Sequence, residues 1–406
     1  MQSRPEQILL AIHHERMKNN RRIEMKRAPW AALFVFLLAM AVSVPPARAL
    51  DTTAREAFVI DLSTDTVLLS KNADQVMPPA SMSKLMTMYL VFDRLKNGSL
   101  SLDDELMVSE KAWRMGGSKM FVEVGNRVRV EDLIRGIVIQ SGNDACVVFA
   151  EAIAGTEDAF AALMTEKARE LGMDTSVFAN STGWPHPNHY MTARELAILG
   201  AALIRDFPEY YHYFAETEFT WNDIKQHNRN PLLYRGVPGV DGLKTGHTEE
   251  AGYGLIASAE RGGRRILMVV NGLESDRARA EEGGRLLEWG FRDFESRKLF
   301  AAGDTVESLE TWMGESDSVP VTATDDVLVT LPRSRSSELT VKVTYDGPIP
   351  APIEQGQHIA DLRIEAEEME PIVIPLVAAQ AVERKGAIGR FFSGLTHMVL
   401  GSSGLN

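Results

Sequence analysis

The stretch YGLIASAERGGRRILMVV, Tyr253 to Val270, reads as two strands joined through Gly262-Gly263, the glycine pair that a tight hairpin turn favours. Working outward, a second hairpin opens the segment far upstream: Ala57–Leu62 and Thr66–Ser70 flank turn residues around Asp65. Between the two hairpins, residues 100 to 235 read as mostly helical. After Pro78-Pro79 a helix is predicted through Leu85, Met88, Leu90, Val91 and Leu95, ending at Asn97-Gly98. Thr156 is placed to cap a helix through Phe160, Leu163, Met164, Ala168 and Leu171, closed by Gly172. Thr192 and Glu195 form a capping box before Leu196, Leu199 and Leu203. A last helix carries Leu286, Leu287 and Trp289 and is expected to end at Gly290. Strands at both ends of residues 50–295 predict an α/β unit. One antiparallel sheet, built from both chain ends, packs between helices and carries an inserted helical lobe. The cleft between lobe and sheet is the expected site.

The 406 residues are 45% apolar, enough for a sizeable core and two domains. Residues 300–379 change texture to short β-rich runs such as Val327–Leu331 and Leu339–Thr344, a small all-β domain without catalytic groupings. From 380 to 406, Ile388, Phe391, Phe392, Leu395 and Met398 share a helical face beside Arg384, Lys385 and Arg390. That pattern predicts an amphipathic helix in a membrane surface, with burial against the β domain as the plainer alternative. Residues 1–49 read as an N-terminal extension and signal peptide. Lys26 and Arg27 precede the apolar run Ala31–Ala41, Ala47-Arg-Ala49 follows, and cleavage is expected before Leu50. An uncleaved anchor is the alternative, though the run is short for a spanning helix. Cleavage removes eight basic and three acidic residues and takes the formal charge from −13 to −18, which argues against nucleic acid as a partner. Cys146, the single cysteine, lies in an apolar run and reads as a small core residue, so the exported fold must stand on packing alone.

Three short motifs carry the chemistry: Ser81-Met-Ser-Lys84, Ser141-Gly-Asn143 and Lys244-Thr-Gly246. Each alone is weak, but their ordered combination is hard to reach by accident. A serine hydroxyl needs a neighbouring base, and residues three apart on a helix share a face, which sets the Lys84 amine beside Ser81. Lysine near its ordinary pKa of ~10.4 is no base at neutral pH, so burial or another cation such as Lys244 has to lower it. Ser141 can relay a proton to the leaving amine, and the Asn143 amide can hold a substrate carbonyl. Lys244 and Thr245 can bind an acidic end group, and Gly246 lets a substrate backbone approach the strand edge. The N–H groups of Ser81 and His247 are available as oxyanion donors.

On these motifs the chain resembles the low-molecular-mass penicillin-binding proteins, the serine-type D-alanyl-D-alanine carboxypeptidases, over nearly all of residues 50 to 400. The resemblance implies a transpeptidase/β-lactamase-like catalytic domain that removes the terminal D-alanine from peptidoglycan stem pentapeptides through an acyl-enzyme, with β-lactam antibiotics as inhibitors. It makes Ser81 the nucleophile and Lys84 its base, with Ser141, Asn143, Lys244, Thr245, Gly246 and His247 the remaining motif positions. It also implies an arginine for the substrate carboxylate, best matched by Arg279, with Arg277 a close rival. The expected location is the periplasmic side of the inner membrane, held peripherally by the tail. A class A β-lactamase is the nearest rival, but Gly142 stands in the second motif and no Glu-x-x-Leu-Asn element occurs. A D,D-endopeptidase would share the same site, and a non-catalytic envelope protein could keep the fold to bind peptidoglycan. No cofactor is called for. His186 and His189 fall in a proline-broken loop without a zinc-protease pattern, so no metal is expected.

Overall fold

The computed structural model describes residues 50–335, 339–365 and 371–386. The predicted signal segment and the apolar positions of the predicted tail helix lie outside them. Two units emerge, Leu50–Ser296 and the segment from Arg297 onward.

In the first unit β1 (Glu56–Asp61) pairs antiparallel with β2 (Thr66–Lys71), and Asp65 in their turn has φ of 53°. A 3-10 turn, Ala80–Ser83, runs into α1 (Lys84–Lys96). The middle is helical, as expected, but holds two small two-stranded sheets that the periodicity did not announce. These are β3 (Glu105–Met107) with β4 (Arg127–Arg129), and β5 (Glu218–Trp221) with β6 (Ile224–His227). Around them lie α2 (Glu110–Arg114), α3 (Val130–Val138), α4 (Asn143–Ala154), α5 (Glu157–Glu170), α6 (Ala193–Asp206) and α7 (Pro208–Tyr211). The chain then returns through β7 (Val240–Thr248), β8 (Gly252–Arg261) and β9 (Arg264–Leu273) before α8 (Asp276–Asp293).

The strand order β2-β1-β9-β8-β7 joins both ends of the unit into one antiparallel sheet. Its central strands are apolar at nearly every position because both faces are covered. Alternation deals their side chains to two cores. Leu255, Ala257, Ile266, Met268 and Val270 join Leu286 and Leu287 of α8, whereas Ile256, Leu267 and Val269 join the helical core on the other face.

Two local readings change. Gly290 does not end α8; it lies inside the helix, where a Cβ would come 2.8 Å from Ile266 Cδ1, so the glycine serves close helix–sheet packing. Thr192 caps α6 by accepting the N–H of Glu195, but the Glu195 carboxylate does not close the box. It accepts from Thr175 N at 2.7 Å and Ser176 Oγ at 2.5 Å, because two donors of the preceding loop need it more than the helix does. The third motif lies within β7, at the sheet edge.

The strand β10 (Phe294–Phe300) crosses the boundary between the units, and the second unit contains β11 (Thr305–Trp312), β12 (Ser318–Thr322), β13 (Val327–Pro332), β14 (Thr340–Thr344), β15 (Ile349–Pro350), β16 (His358–Glu365) and β17 (Ile372–Ala378). Six of these form a sheet in the order β14-β16-β17-β12-β11-β15 around a core that includes Leu309, Val329, Leu362 and Leu376. Val382, beyond the last strand, also packs in this core and bridges to Ile353. An α/β domain is thus followed by a smaller β-sheet domain.

Candidate active site

The Ser81 position is built by a short, strained turn. Ala80 has φ of 48°, a left-handed conformation that costs a non-glycine residue about 1–3 kcal/mol, and Ser81 follows it on the 3-10 turn. From sequence, Ser81 was expected in the first turn of the α-helix; the 3-10 geometry serves the pair better, because it eclipses side chains three residues apart. Lys84 Nζ lies 2.8 Å from Ser81 Oγ and donates to the Thr182 carbonyl at 2.5 Å.

Lys84 is fully buried, and burial is the main reason its ammonium falls from 10.5 to about 8. Cys146 and Asp144 oppose that shift and Arg229 adds to it. Cys146 is itself pushed up to about 12 by burial, so at neutral pH it is an uncharged thiol and its opposition vanishes. The cation expected to lower Lys84 was Lys244. Here the cation whose charge lowers Lys84 is Arg229, and Lys244 is instead lowered well below its usual value by burial and then by Lys84.

The second motif turns from α3 into α4. Ser141 has φ of 63°, and its Oγ is buried with no hydrogen-bond partner among the described residues. A buried hydroxyl left unpaired in a strained residue is costly, and such costs gather where a group is held ready for another molecule. Asn143 opens α4, and its amide donates one N–H to Gly116 O at 2.9 Å. Asp144 beside it accepts the backbone N–H groups of Met120, Phe121 and Val122 at 2.9, 2.9 and 3.2 Å, which fixes the 118–122 segment over the site.

The third motif is brought in by glycine. A Cβ on Gly246 would lie 2.9 Å from Pro79 O and 3.3 Å from Ala80 Cβ, so only glycine lets β7 lie against the serine turn. Lys244 and Thr245 are buried, while His247 is exposed and stacks on Tyr253 at 3.9 Å. Of the two rival arginines, Arg279 is buried and reaches the Gly246 carbonyl at 3.4 Å, whereas Arg277 points to solvent and pairs with Glu281. The Arg279 guanidinium also pairs with Asp276 and lies over the Tyr253 ring.

Two contributions escaped the sequence reading. Arg229 donates to Ser118 Oγ and acts electrostatically on both Lys84 and Lys244; nothing in its local pattern distinguishes it from a solvated arginine. The loop Asn180–Trp184 supplies the carbonyl that holds Lys84. Asn180 Oδ1 accepts from Thr182, Gly183 and Trp184 N–H groups at 3.1, 2.8 and 3.0 Å, and Gly183 passes so close that a Cβ would meet Ala80 O at 1.9 Å. The run Asn180-Ser-Thr-Gly183 is turn chemistry and was the available signal. His189 is buried, held neutral by burial that lowers it to about 4, and packs edge-on to Phe178.

The assembled groups are a hydroxyl touching a buried, lowered amine, an unpaired second hydroxyl, an amide, and buried cations around the edge of a strand. That set suits acyl transfer from a peptide ending in a carboxylate.

Comparison with known proteins agrees. The family model for D-alanyl-D-alanine carboxypeptidase matches residues 40–275, and that for the penicillin-binding protein 5 C-terminal domain matches residues 294–384. The chain is 38% identical over 369 residues to D-alanyl-D-alanine carboxypeptidase DacC of Escherichia coli K12, covering 89% of this chain and 92% of that one. Among solved structures it is similar to penicillin binding protein 5 from Haemophilus influenzae, with a TM-score of 0.76, 36% identity and coverage of 82% of this chain and 99% of that one. It is also similar to penicillin-binding protein D2 from Listeria monocytogenes in its ampicillin-bound form, with a TM-score of 0.55, 32% identity and coverage of 60% and 99%.

Proposed function

This chain belongs to the D-alanyl-D-alanine carboxypeptidase family, and from that premise we propose that Ser81 carries the acyl-enzyme, with Lys84 as its base. The chain is a serine-type D-Ala-D-Ala carboxypeptidase that acts on peptidoglycan stem peptides and is acylated by penicillins. The observation that carries the residue assignment is the 2.8 Å contact between Lys84 Nζ and Ser81 Oγ inside a fully buried amine environment.

In the reading we favour, the peptide adds to the exposed edge of β7, with its terminal carboxylate among Lys244, Thr245 and Arg279 and with Arg229 adding positive potential. Neutral Lys84 donates one N–H to Thr182 O and turns its lone pair to the Ser81 hydroxyl. It takes that proton as Oγ attacks the carbonyl carbon between the two D-alanines. The oxyanion is received by the Ser81 and His247 N–H groups, while Asn143 holds a substrate carbonyl. The proton passes to the leaving amine from Lys84, with Ser141 as relay, the C–N bond breaks and D-alanine departs. Water then gives its proton to Lys84 and attacks the ester, which releases the shortened peptide and restores Ser81. A penicillin enters the same route through its strained amide.

Ser81→Ala should abolish labelling by a fluorescent penicillin while the circular dichroism spectrum stays unchanged; a labelled S81A protein refutes the nucleophile assignment.

Export is consistent with the family. Among the described residues no helix is long and apolar enough to cross a membrane. The proposal for the tail is a peripheral amphipathic helix, supported by the sequence pattern that follows Arg384 and Lys385. Val382 is part of the β core, so the informative truncation is after Gly386; it should release the protein from membranes, and sedimentation of the shortened form with membranes would place the anchor elsewhere.

A further inference from the structure

Beside Ser81 a cavity of about 470 Å³ opens, within the ~300–1,000 Å³ range of small-molecule sites. One wall is the segment Val76–Ala80 that leads into Ser81, another is the loop from Gly183 to Tyr190, and Thr248 and Glu250 close the end. Acylation and hydrolysis at Ser81 use none of the groups on the far side of this space.

Strand direction says what reaches it. β7 is the sheet edge and runs from Lys244 toward Thr248, so a peptide pairing antiparallel with its carboxylate at Lys244 and Thr245 sends its earlier residues toward Thr248 and Glu250. The side chain next in line is that of the residue before the D-Ala-D-Ala pair. The lining is aromatic and proline-rich, and its one carboxylate is Glu250, which is exposed and makes no ion pair among the described residues. Among the described residues no lysine or arginine lines the space. His189 is held neutral by its burial, and His186 accepts the Asn188 N–H through Nδ1. Trp184 is half exposed yet held in place: its ring rests on Gly116 and Gly117, where a Cβ at Gly117 would come within 2.9 Å of both the ring and the Asn143 amide.

We propose that this cavity is a specificity subsite for the residue preceding D-Ala-D-Ala, selecting a side chain with an apolar stem and a free ammonium tip. Trp184 and Tyr190 take the stem, and Glu250 takes the charge. A diamino acid with an unmodified amine has that chemistry. One whose amine is already acylated in a cross-link does not, so the site favours stem peptides whose amine is still free. The inference rests on Ser81 being acylated by the D-Ala-D-Ala bond.

The test uses the full-length enzyme and peptides of the form acetyl-X-D-Ala-D-Ala, with X as lysine, Nε-acetyl-lysine or norleucine, and kcat/KM taken from D-alanine release. The lysine peptide should exceed both others by about fivefold, the size expected for an exposed ion pair plus a cation–π contact. Glu250→Gln should bring it down to the norleucine level, and Glu250→Lys should turn the preference toward X as glutamate. Equal rates for the three peptides, or a lysine preference that survives E250Q, overturns the subsite. If penicillin labels Ser81 under those same conditions, the reading of the nucleophile stands and only the subsite falls. Absence of both labelling and D-alanine release sinks the two together.

Discussion

Raising the pH should accelerate acylation of Ser81 along a curve set by one buried amine. With its ammonium at about 8, Lys84 is neutral in about one molecule in ten at pH 7, whereas at the ordinary 10.5 it would be neutral in about one in three thousand. Burial therefore enlarges the population able to accept the serine proton by about 300-fold, and the shift corresponds to about 3 kcal/mol. The same energy opposes folding. Between pH 8 and 10.5 the unfolded chain binds the lysine proton that the folded chain has lost, so this residue's contribution to stability rises with pH across that window and its cost is fully present below 8. The assay is stopped-flow acylation by a fluorescent penicillin from pH 5.5 to 9.5 at fixed ionic strength. The logarithm of the second-order rate constant should climb with unit slope and level off near 8. A flat profile, or a climb that continues past 9 toward the value of an exposed lysine, would refute Lys84 as the neutral base.

Gly183→Ala should cut acylation by at least about 100-fold, because its Cβ would sit 1.9 Å from Ala80 O and displace either the serine turn or the carbonyl that orients Lys84; labelling kinetics alongside a thermal melt check this. Asp144→Asn replaces an acceptor oxygen by a donor facing backbone N–H groups, and should cost about 1–3 kcal/mol in thermal unfolding and slow acylation as the 118–122 segment loosens. An unchanged melting temperature would show that this carboxylate is not what holds the segment. D-alanine release should be indifferent to EDTA; loss of turnover that added zinc restores would replace the serine mechanism with a metal-assisted one.

The two hairpins were legible because their signals are local. A short apolar, β-branched run in Ala57–Leu62 and a pair of glycines at 262 and 263, both with positive φ, need no distant partner to be read. The caps at Thr156 and Thr192 were legible for the same reason, since a side-chain oxygen reaches an N–H three residues on. Glu195 was misread because two donors from a neighbouring loop take the place of the local partner. Gly290 was misread because a glycine that ends a helix and one that lets a helix touch a sheet look the same in sequence.

The same division runs through the site. The ordered motifs by themselves brought forward one hydroxyl, one amine and one strand as the candidate site, since each motif is written in residue types at fixed short spacing. Tertiary structure alone buried Arg279 and left Arg277 in solvent, put Arg229 where its charge acts on Lys84, and placed the Thr182 carbonyl on the amine. Those choices depend on burial, on hydrogen bonds and on through-space charge between distant segments, 98 residues apart for Lys84 and Thr182 and farther still for Lys84 and Arg229. Desolvation and Coulomb interaction depend on distance in the folded chain, and separation along the sequence does not contain that distance.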